Sequence, residues 1–325
     1  MLQKVSIENY KTIKGKELDQ IVVTYELFGK DLYTAPVVLV NHALTGNSTV
    51  CGEQGWWKGL IGEGKCINTK DYTILAFNIP GNGYDGIEEN LIQDYQSFTA
   101  RDVAKIFNQV IKQLEIQKIF ATIGGSVGGG IAWELAVLNP SLIEHLIPVA
   151  ADWKSTDWLK ANCLVQEQIL LNSKNPVHDA RLHAMLFYRS PESFKIKFNR
   201  SFNEDWGVYN VESWLLHHGK KLKERFTLSA YKTLNHILAN IDITSRGETF
   251  EEVVKNIRSN IHLISVDSDI FFTAKEDTET FYRLTKVKNN VSHHIIASVH
   301  GHDAFLIEFE QLEKILDPIF KNEIR

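Results

Sequence analysis

One glycine-rich stretch decides the fold: Ile123-Gly124-Gly125-Ser126-Val127-Gly128-Gly129-Gly130. An apolar run, residues 119–123, leads into this stretch, and a segment of helical character, residues 131–136, follows it. The stretch contains the pattern G-x-S-x-G, in which Ser126 would sit on a sharp turn between a strand and a helix with its hydroxyl exposed. A glycine-rich turn without chemistry, or a loop that cradles phosphate, is the alternative. The strand-turn-helix context favours a catalytic serine.

The composition is that of a soluble globular protein. Of its residues 44% are hydrophobic and 23% are charged. The length of 325 residues is sufficient for one large domain or two ordinary ones. A net charge of -5 without long runs offers no basic surface for nucleic acid. Cys51, Cys66 and Cys163 are too widely spaced for a disulfide framework or a metal-ligand set. We therefore expect no metal site, and the glycines give no dinucleotide-binding fingerprint that would predict a bound cofactor.

No targeting or membrane segment is visible. The first ten residues lack the apolar core of a secretory signal. No run approaches the roughly 18 apolar residues that a membrane helix needs. These features predict a cytoplasmic protein that does not insert into a membrane.

Strands alternate with helices in the first half of the chain. A helix is expected from Thr99 to about Leu114, and another directly after Ser126. Alternation of this kind predicts a mostly parallel sheet with helices on both faces. Residues 21–28 alternate enough to predict a half-exposed strand. Short apolar runs predict further strands at residues 36–40, 72–77, 119–123 and 145–150, and the valine-rich run at 36–40 is typical of a buried central strand.

The pattern changes after residue 151. Residues 156–242 predict one helix after another, and strand character returns only at residues 261–266 and 291–296. Further helices are expected at residues 277–284 and 308–320.

This order predicts an α/β core built from residues 1–154 and 246–325. The helical insertion, residues 155–245, would lie over the carboxyl edge of the sheet and act as a lid.

Two pairs of candidate catalytic residues follow the two late strands. Catalytic groups of open α/β sheets collect beyond the carboxyl ends of the strands. Asp267 and Asp269 follow the first of these strands, and His300 and His302 follow the second. Serine, then aspartate, then histidine is the order of an α/β-hydrolase triad, in which imidazole removes the serine proton and the aspartate orients the imidazole. Spacing alone leaves open which aspartate and which histidine act.

An oxyanion hole needs two N–H donors. The residue after the nucleophile, Val127, supplies one. The turn after an early strand supplies the other, and the segment Asn41-His42-Ala43-Leu44 places Leu44 there. His42 could itself be catalytic, but its position near this loop favours a structural role.

Four segments of the chain carry a resemblance to a known family. They are residues 41–46 (NHALTG), 55–62 (GWWKGLIG), 124–129 (GGSVGG) and 301–306 (GHDAFL). In this order they resemble the signature segments of the homoserine O-acetyltransferase family. The similarity extends from about residue 20 to the C-terminus and includes the helical region.

The resemblance implies an α/β-hydrolase fold with a helical lid. It implies ping-pong transfer of an acetyl group from acetyl-CoA, the donor substrate, to the hydroxyl of L-homoserine in methionine biosynthesis. Ser126 would be the nucleophile, Asp269 the acid and His302 the base. Leu44 and Val127 would be the oxyanion donors.

Recognition of an amino acid requires partners for both of its charges. The resemblance implies that Asp303 binds the substrate ammonium and Arg189 its carboxylate. This has independent physical sense, since charged groups that enter a dry pocket must be paired and arginine offers a carboxylate two parallel donors. A surface cation and a helix cap are the ordinary alternatives for these residues. The family also implies a possible homodimer through the helical lid.

Three departures from the family pattern concern the lid and the substrate tunnel. Residues 77–86 lack the family's longer Gly-Ser-Thr-Gly-Pro segment, residues 166–168 lack the arginine commonly found in the helix there, and the proline usual after the phenylalanine of the acid segment is absent at Phe272-Thr273. Two enzymatic alternatives therefore stay open: a carboxylic-ester hydrolase with the same triad, and a succinyl-CoA-dependent homoserine acyltransferase. A binding protein without activity is a third alternative, since fold alone never proves catalysis.

Overall fold

The computed structural model describes residues 1–244 and 247–321. Its strands are β1 (Gln3–Lys11), β2 (Glu17–Gly29), β3 (Val37–Asn41), β4 (Ile61–Gly62), β5 (Ile67–Asn68), β6 (Thr73–Phe77), β7 (Ile119–Gly125), β8 (Ile143–Val149), β9 (Phe202–Asn203), β10 (Val208–Tyr209), β11 (Asn260–Val266) and β12 (Val291–Ile296). Its α-helices are α1 (Ala100–Gln113), α2 (Val127–Leu138), α3 (Asp157–Asn172), α4 (Pro176–Tyr188), α5 (Pro191–Phe198), α6 (Asn210–Lys223), α7 (Leu228–Ala239), α8 (Phe250–Val254), α9 (Ala274–Thr285) and α10 (Phe309–Phe320). Short 3-10 helices lie at Glu88–Asn90, Tyr95–Ser97 and Gly301–Leu306. Within the described ranges, no helix has the length and apolar character needed to span a bilayer.

Eight of the described strands form the central sheet, in the order β1-β2-β6-β3-β7-β8-β11-β12. Neighbours from β6 to β12 run parallel, whereas β2 pairs antiparallel with both β1 and β6. The predicted α/β-hydrolase fold with a mostly parallel sheet is thereby confirmed. Asn41 of β3 pairs with Gly124 of β7, and Gly125 pairs with Val149 of β8. Because these three strands end level with one another, the residues that follow them meet at one edge of the sheet.

Strand β1 is missing from the sequence-based prediction. Only Ile7 and Tyr10 among its nine residues are buried, and they are three positions apart. Between them Asn9 has a φ of 51°, which interrupts the two-residue alternation of an extended strand. An edge strand packs against few neighbours, so it can form with little of the apolar pattern from which strands are predicted.

The sheet is buried on both faces. Strand β3 is buried at all five positions, as expected for a central parallel strand. On one face Leu39 belongs to a cluster that includes Phe107 of α1, and on the other Val38 belongs to a cluster that includes Leu312 of α10. Full burial of a side chain such as Phe107 contributes about 1.5–3 kcal/mol to folding.

Helices α3 to α7 lie between β8 and β11 in the chain, and the two ends of this helical block meet. Lys154 and Asp242 form an isolated β-bridge, and the Ser155 N–H donates to the Ile241 carbonyl at 2.9 Å. The block thus leaves the core and returns to it at one place. The predicted boundary at residue 245 lies outside the described residues, and the lid function of the block stays a prediction.

Candidate active site

Ser126 lies on the turn between β7 and α2. Its φ of 58° and ψ of -127° are values that residues with side chains rarely adopt, so the turn is strained. The Ser126 N–H donates to the Val149 carbonyl at the end of β8, at 3.0 Å. The Ser126 carbonyl accepts the N–H groups of Gly129 and Gly130, at 2.9 and 3.3 Å. These bonds hold Ser126 at the carboxyl edge of the sheet, on the strand-turn-helix geometry predicted for it.

Gly128 allows β3 to approach the first turn of α2. A Cβ atom at Gly128 would lie 2.4 Å from the Asn41 carbonyl oxygen, closer than real contacts allow. The Asn41 side-chain amide donates to the Gly128 carbonyl at 3.3 Å. The loop that follows β3 therefore begins directly beside the Ser126 turn.

The two predicted oxyanion donors lie on these adjoining elements. Val127 is the first residue of α2, and the first N–H groups of a helix have no acceptor within the helix. Leu44 follows the end of β3 by three residues and is buried in a turn closed by the Gly46 N–H and the Ala43 carbonyl, at 2.8 Å. Their role as donors stays a prediction.

His42 has a structural position in the same loop. The Ile79 N–H donates to His42 Nε2 at 3.0 Å, so this nitrogen carries no proton. Nδ1 therefore carries it and donates to the Ala43 carbonyl at 2.7 Å. Burial lowers the pKa of His42 to about 4, which keeps the ring neutral at physiological pH. With both nitrogens occupied by backbone partners, His42 fastens the loop that contains Leu44.

Asp269 and His302 form a buried hydrogen-bonded pair. His302 Nδ1 lies 2.7 Å from Asp269 Oδ2. The other carboxylate oxygen, Oδ1, accepts the N–H groups of Phe271 and Phe272 at 2.7 and 2.9 Å. A carboxylate held in this way keeps the proton of a neutral imidazole on Nδ1 and leaves Nε2 free to accept a proton.

The rival residues have other partners. Asp267 is exposed, and its carboxylate accepts the N–H of Ser298 at 3.0 Å. His300 Nδ1 lies 3.1 Å from Arg189 Nη2 and 3.3 Å from the Ser193 hydroxyl. The structure therefore brings together Asp269 and His302, the two residues that the resemblance favours.

Phe305 joins the histidine to the serine turn. A Cβ atom at Gly125 would lie 2.5 Å from Phe305 Cε2, so this ring packs on the backbone next to Ser126. The same ring packs edge-on against His302, with centroids 5.5 Å apart. On another side Phe272 stacks on His302, also with centroids 5.5 Å apart. The imidazole is thus enclosed by apolar rings, an environment that excludes water.

Arg189 and Asp303, the predicted substrate partners, lie beside each other. Arg189 Nη1 is 3.8 Å from Asp303 Oδ2, and the two side chains are 15% and 20% exposed. Arg189 Nε also donates to the Ser193 hydroxyl at 3.1 Å. Burial raises the pKa of Asp303 above its ordinary value, while the nearby Arg181, His302 and Arg189 act in the opposite direction.

Arg181 is a candidate that the sequence reasoning missed. Its guanidinium lies over the ring of Tyr188, 5.3 Å from the centroid, and its positive charge, like that of Arg189, acts to lower the pKa of Asp303. Among the residues that the structure describes, no hydrogen-bond or ion-pair partner holds this partly buried cation. The seven-residue spacing of Arg181 and Tyr188, which places them on one face of α4, is the signal that could have identified it.

The chain is similar to known proteins over nearly its whole length. Residues 36–234 match the α/β-hydrolase fold family. The homoserine O-acetyltransferase of Chloroherpeton thalassium is 31% identical, over 97% of this chain and 88% of the relative. The crystal structure of homoserine O-acetyltransferase from Bacillus anthracis superposes with a TM-score of 0.88, at 20% identity, over 100% of this chain and 98% of that one. Esterase E22 superposes with a TM-score of 0.85, at 17% identity, over 99% and 100% of the two chains. At these structural identities the likeness shows the fold alone.

Proposed function

The chain belongs to the homoserine O-acetyltransferase family of α/β-hydrolase-fold enzymes, and on this premise we propose that it transfers an acetyl group from acetyl-CoA to the hydroxyl of L-homoserine. This reaction would place the enzyme in methionine biosynthesis. One observation carries the proposal: His302 and Asp303 are adjacent in the chain. His302 is hydrogen-bonded to Asp269, and Asp303 faces the Arg189 side chain. The first pair suits acyl chemistry, and the charged groups beside it suit an amino-acid acceptor.

The first half-reaction acylates Ser126. The hydroxyl oxygen attacks the thioester carbonyl while its proton passes to His302 Nε2, and Asp269 stabilises the imidazolium that forms. The N–H groups of Leu44 and Val127 would hold the oxyanion of the tetrahedral intermediate, each contributing on the order of 3 kcal/mol. The intermediate collapses when the carbon–sulfur bond breaks, and His302 returns the proton to the departing thiolate. Free CoA and acetyl-Ser126 result.

The second half-reaction passes the acetyl group on. The homoserine hydroxyl attacks the acetyl-serine carbonyl and gives its proton to His302. When this second intermediate collapses, the Ser126 oxygen leaves and recovers the proton. The order of events is that of a ping-pong mechanism, since CoA leaves before the acetyl group moves to homoserine.

Charge pairing supports an amino acid as the acceptor. The Asp303 carboxylate, next to the catalytic base in the chain, can pair with a substrate ammonium. Arg181, which has no anionic partner among the described residues, or Arg189 can pair with the substrate carboxylate. Both substrate charges would then be compensated when water is excluded, which a dry site requires. An acceptor held in this way also reaches the acyl-enzyme ahead of water.

A thiol-release assay tests the proposal against its alternatives. We expect acetyl-CoA to release CoA in step with the formation of O-acetylhomoserine, and much more slowly when homoserine is omitted. Equal release without homoserine would identify an ester or thioester hydrolase. Faster release from succinyl-CoA than from acetyl-CoA would identify the other acyltransferase. Absence of release from both donors would support a binding protein without activity.

A homodimer through the helical block is a further part of the proposal. Exposed apolar side chains line α3, among them Leu164, Val165 and Leu171, and Leu186 is exposed on α4. Exposed apolar groups of this kind commonly mark an interface. Sedimentation of the protein and of its Leu164→Glu variant would test this, with a dimer expected for the first and a monomer for the second.

A further inference from the structure

A groove lies on the helical block between α5, the β9–β10 hairpin and the start of α6. It consists of two adjoining cavities of about 430 and 550 Å³, which share Phe198 and Ser201 in their walls. We call this region the α5–α6 groove. It lies outside the triad and has no role in the chemistry described above.

Among the described residues in the walls of the α5–α6 groove, the charged side chains are cations. Lys197 lines one cavity, and Lys195 and Arg200 line the other. Lys195 is paired with Glu192 at 3.6 Å, which leaves Lys197 and Arg200 as the cations without an ion-pair partner among the described residues. In a chain of net charge -5, a cavity walled by cations favours an anion.

Aromatic rings accompany these cations. Trp206, in the wall of the first cavity, is 69% exposed. Lys197 lies over the ring of Trp214, 5.9 Å from its centroid, and Arg200 lies over Tyr209 at 5.7 Å. Exposed aromatic faces interleaved with cations are the surface on which proteins stack nucleobases and hold the attached phosphates.

Helix α6 connects the groove with the substrate site. Trp214, in the wall of the groove, contacts His218 one turn later, with ring centroids 4.3 Å apart. The His218 ring is partly buried, and this burial together with the charge of Arg181 lowers its pKa to about 4. Arg225, two residues beyond the end of α6, donates to the Thr45 carbonyl at 2.8 Å, so the far end of this helix lies beside the loop that contains Leu44.

We propose that the α5–α6 groove binds the adenine and phosphate end of the acyl-CoA donor. The adenine would stack on Trp206, and the phosphates would face Lys197 and Arg200. The acyl end of the donor could then extend along α6 towards Ser126. This inference rests on the proposed function for its donor, but the binding of the nucleotide itself does not depend on catalysis.

A comparison of a complete and a truncated donor tests the inference. S-acetyl-N-acetylcysteamine carries the same thioester as acetyl-CoA but lacks the nucleotide. We expect Trp206→Ala and Lys197→Gln each to raise the KM for acetyl-CoA about tenfold and to leave kcat/KM for the truncated donor unchanged. Tyr282→Ala and Lys112→Ala, at exposed positions of α9 and α1, are the matched controls and should change neither value. An equal effect on both donors, or no effect on either, would overturn the inference.

Direct binding of adenosine 3′,5′-bisphosphate separates this inference from the proposed function. Calorimetry should detect binding to the wild type and about tenfold weaker binding to Trp206→Ala. If the bisphosphate binds but no acyl transfer occurs, the proposed function fails and the nucleotide site stands. If transfer occurs but the bisphosphate does not bind in the groove, the site is refuted alone. A change of sedimenting mass in Trp206→Ala without any bisphosphate binding would identify the groove as an interface between copies of the chain, which also contradicts the inference.

Discussion

Arg189 Nη1 lies 3.8 Å from Asp303 Oδ2, so two groups expected to bind opposite ends of one amino acid face each other directly. An ion pair of this length is weak and can open for a substrate. Arg189 is also held by Ser193 and lies beside His300, whereas Arg181 has no hydrogen-bond or ion-pair partner among the described residues, and its charge acts on the same carboxylate. We therefore expect Arg181 to be the better partner for a substrate carboxylate.

The two arginines can be separated by substitution. Arg181→Gln should raise the KM for homoserine at least about tenfold, because a charge-assisted bond to the carboxylate is lost. Arg181→Lys should recover only part of this loss, since lysine cannot offer two parallel donors. Arg189→Gln should have the smaller effect on the same KM, measured by steady-state kinetics at saturating acetyl-CoA. A larger effect at Arg189 would restore it as the carboxylate partner.

We expect homoserine acylation to lose activity at a higher pH than a reaction that depends on the triad but not on Asp303. Burial raises the pKa of Asp303, so this carboxyl takes up its proton at a higher pH than an ordinary aspartate. The protonated form cannot pair with the substrate ammonium, and kcat/KM for homoserine should fall as the pH is lowered. Hydrolysis of p-nitrophenyl acetate, which carries no charge, supplies the reference for the triad. Parallel pH profiles for the two reactions would contradict the role of Asp303, and Asp303→Asn should remove the difference between them.

A matched pair of variants tests whether Asp269, rather than Asp267, is the acid of the triad. Asp269→Asn should reduce kcat by about three to four orders of magnitude, because the amide no longer holds His302 in the required tautomer. Asp267→Asn changes an exposed carboxylate that accepts only the backbone N–H of Ser298 among the described residues, and it should retain most of the activity. The measurement is kcat for acetyl transfer, with circular dichroism to verify folding. A severe loss in Asp267→Asn alone would reverse the assignment.

We expect the buried carboxyl of Asp152 to make the stability of the folded protein depend on pH. One of its oxygens accepts the Trp153 N–H and the Thr280 hydroxyl, while the other is buried without a hydrogen-bond partner. Burial raises the pKa of Asp152 from 3.8 to about 6. Between these two pH values the Asp152 carboxyl is protonated in the folded state and ionised in the unfolded state. The stability from this proton is complete below the unfolded pKa and is lost as the pH rises through the folded one.

The neutral variant Asp152→Asn avoids this loss. Its melting temperature relative to the wild type should be higher at about pH 8 than at about pH 4.5, by roughly 2 °C or more. Asp19→Asn, at an exposed position of β2, should show no such difference. A melting-temperature difference for Asp152→Asn that is independent of pH would show that its carboxyl is not protonated on folding.

Local pattern was sufficient for the sheet other than β1 and for the strand-turn-helix geometry at Ser126. The central strands of the sheet are short apolar runs, β2 contains an alternating apolar segment, and the turn needs glycines that the sequence displays directly. Helix α5 has a start signal as well, with Ser190 as its cap and Pro191 in its first turn. Its last five residues, Phe194–Phe198, alternate apolar and charged side chains, however, and no apolar face marks them as a helix.

Contacts between distant segments could not be predicted from local sequence patterns. Arg181 looks like an ordinary cation of α4 until its relation to Asp303, more than a hundred residues away, is known. His42 could be separated from a catalytic histidine only by the Ile79 N–H that occupies its Nε2. Both cases depend on tertiary packing, which residue type and spacing do not encode locally.

The acyl-enzyme itself is the most direct test of the central claim. The protein should be mixed with acetyl-CoA without homoserine, quenched in acid, and analysed by mass spectrometry of its peptides. We expect one acetyl group on the peptide that contains Ser126, its disappearance when homoserine is added before the quench, and no labelling of folded Ser126→Ala. Acetyl transfer to homoserine that persists in Ser126→Ala, or an acetyl group that never appears on Ser126, would contradict the account.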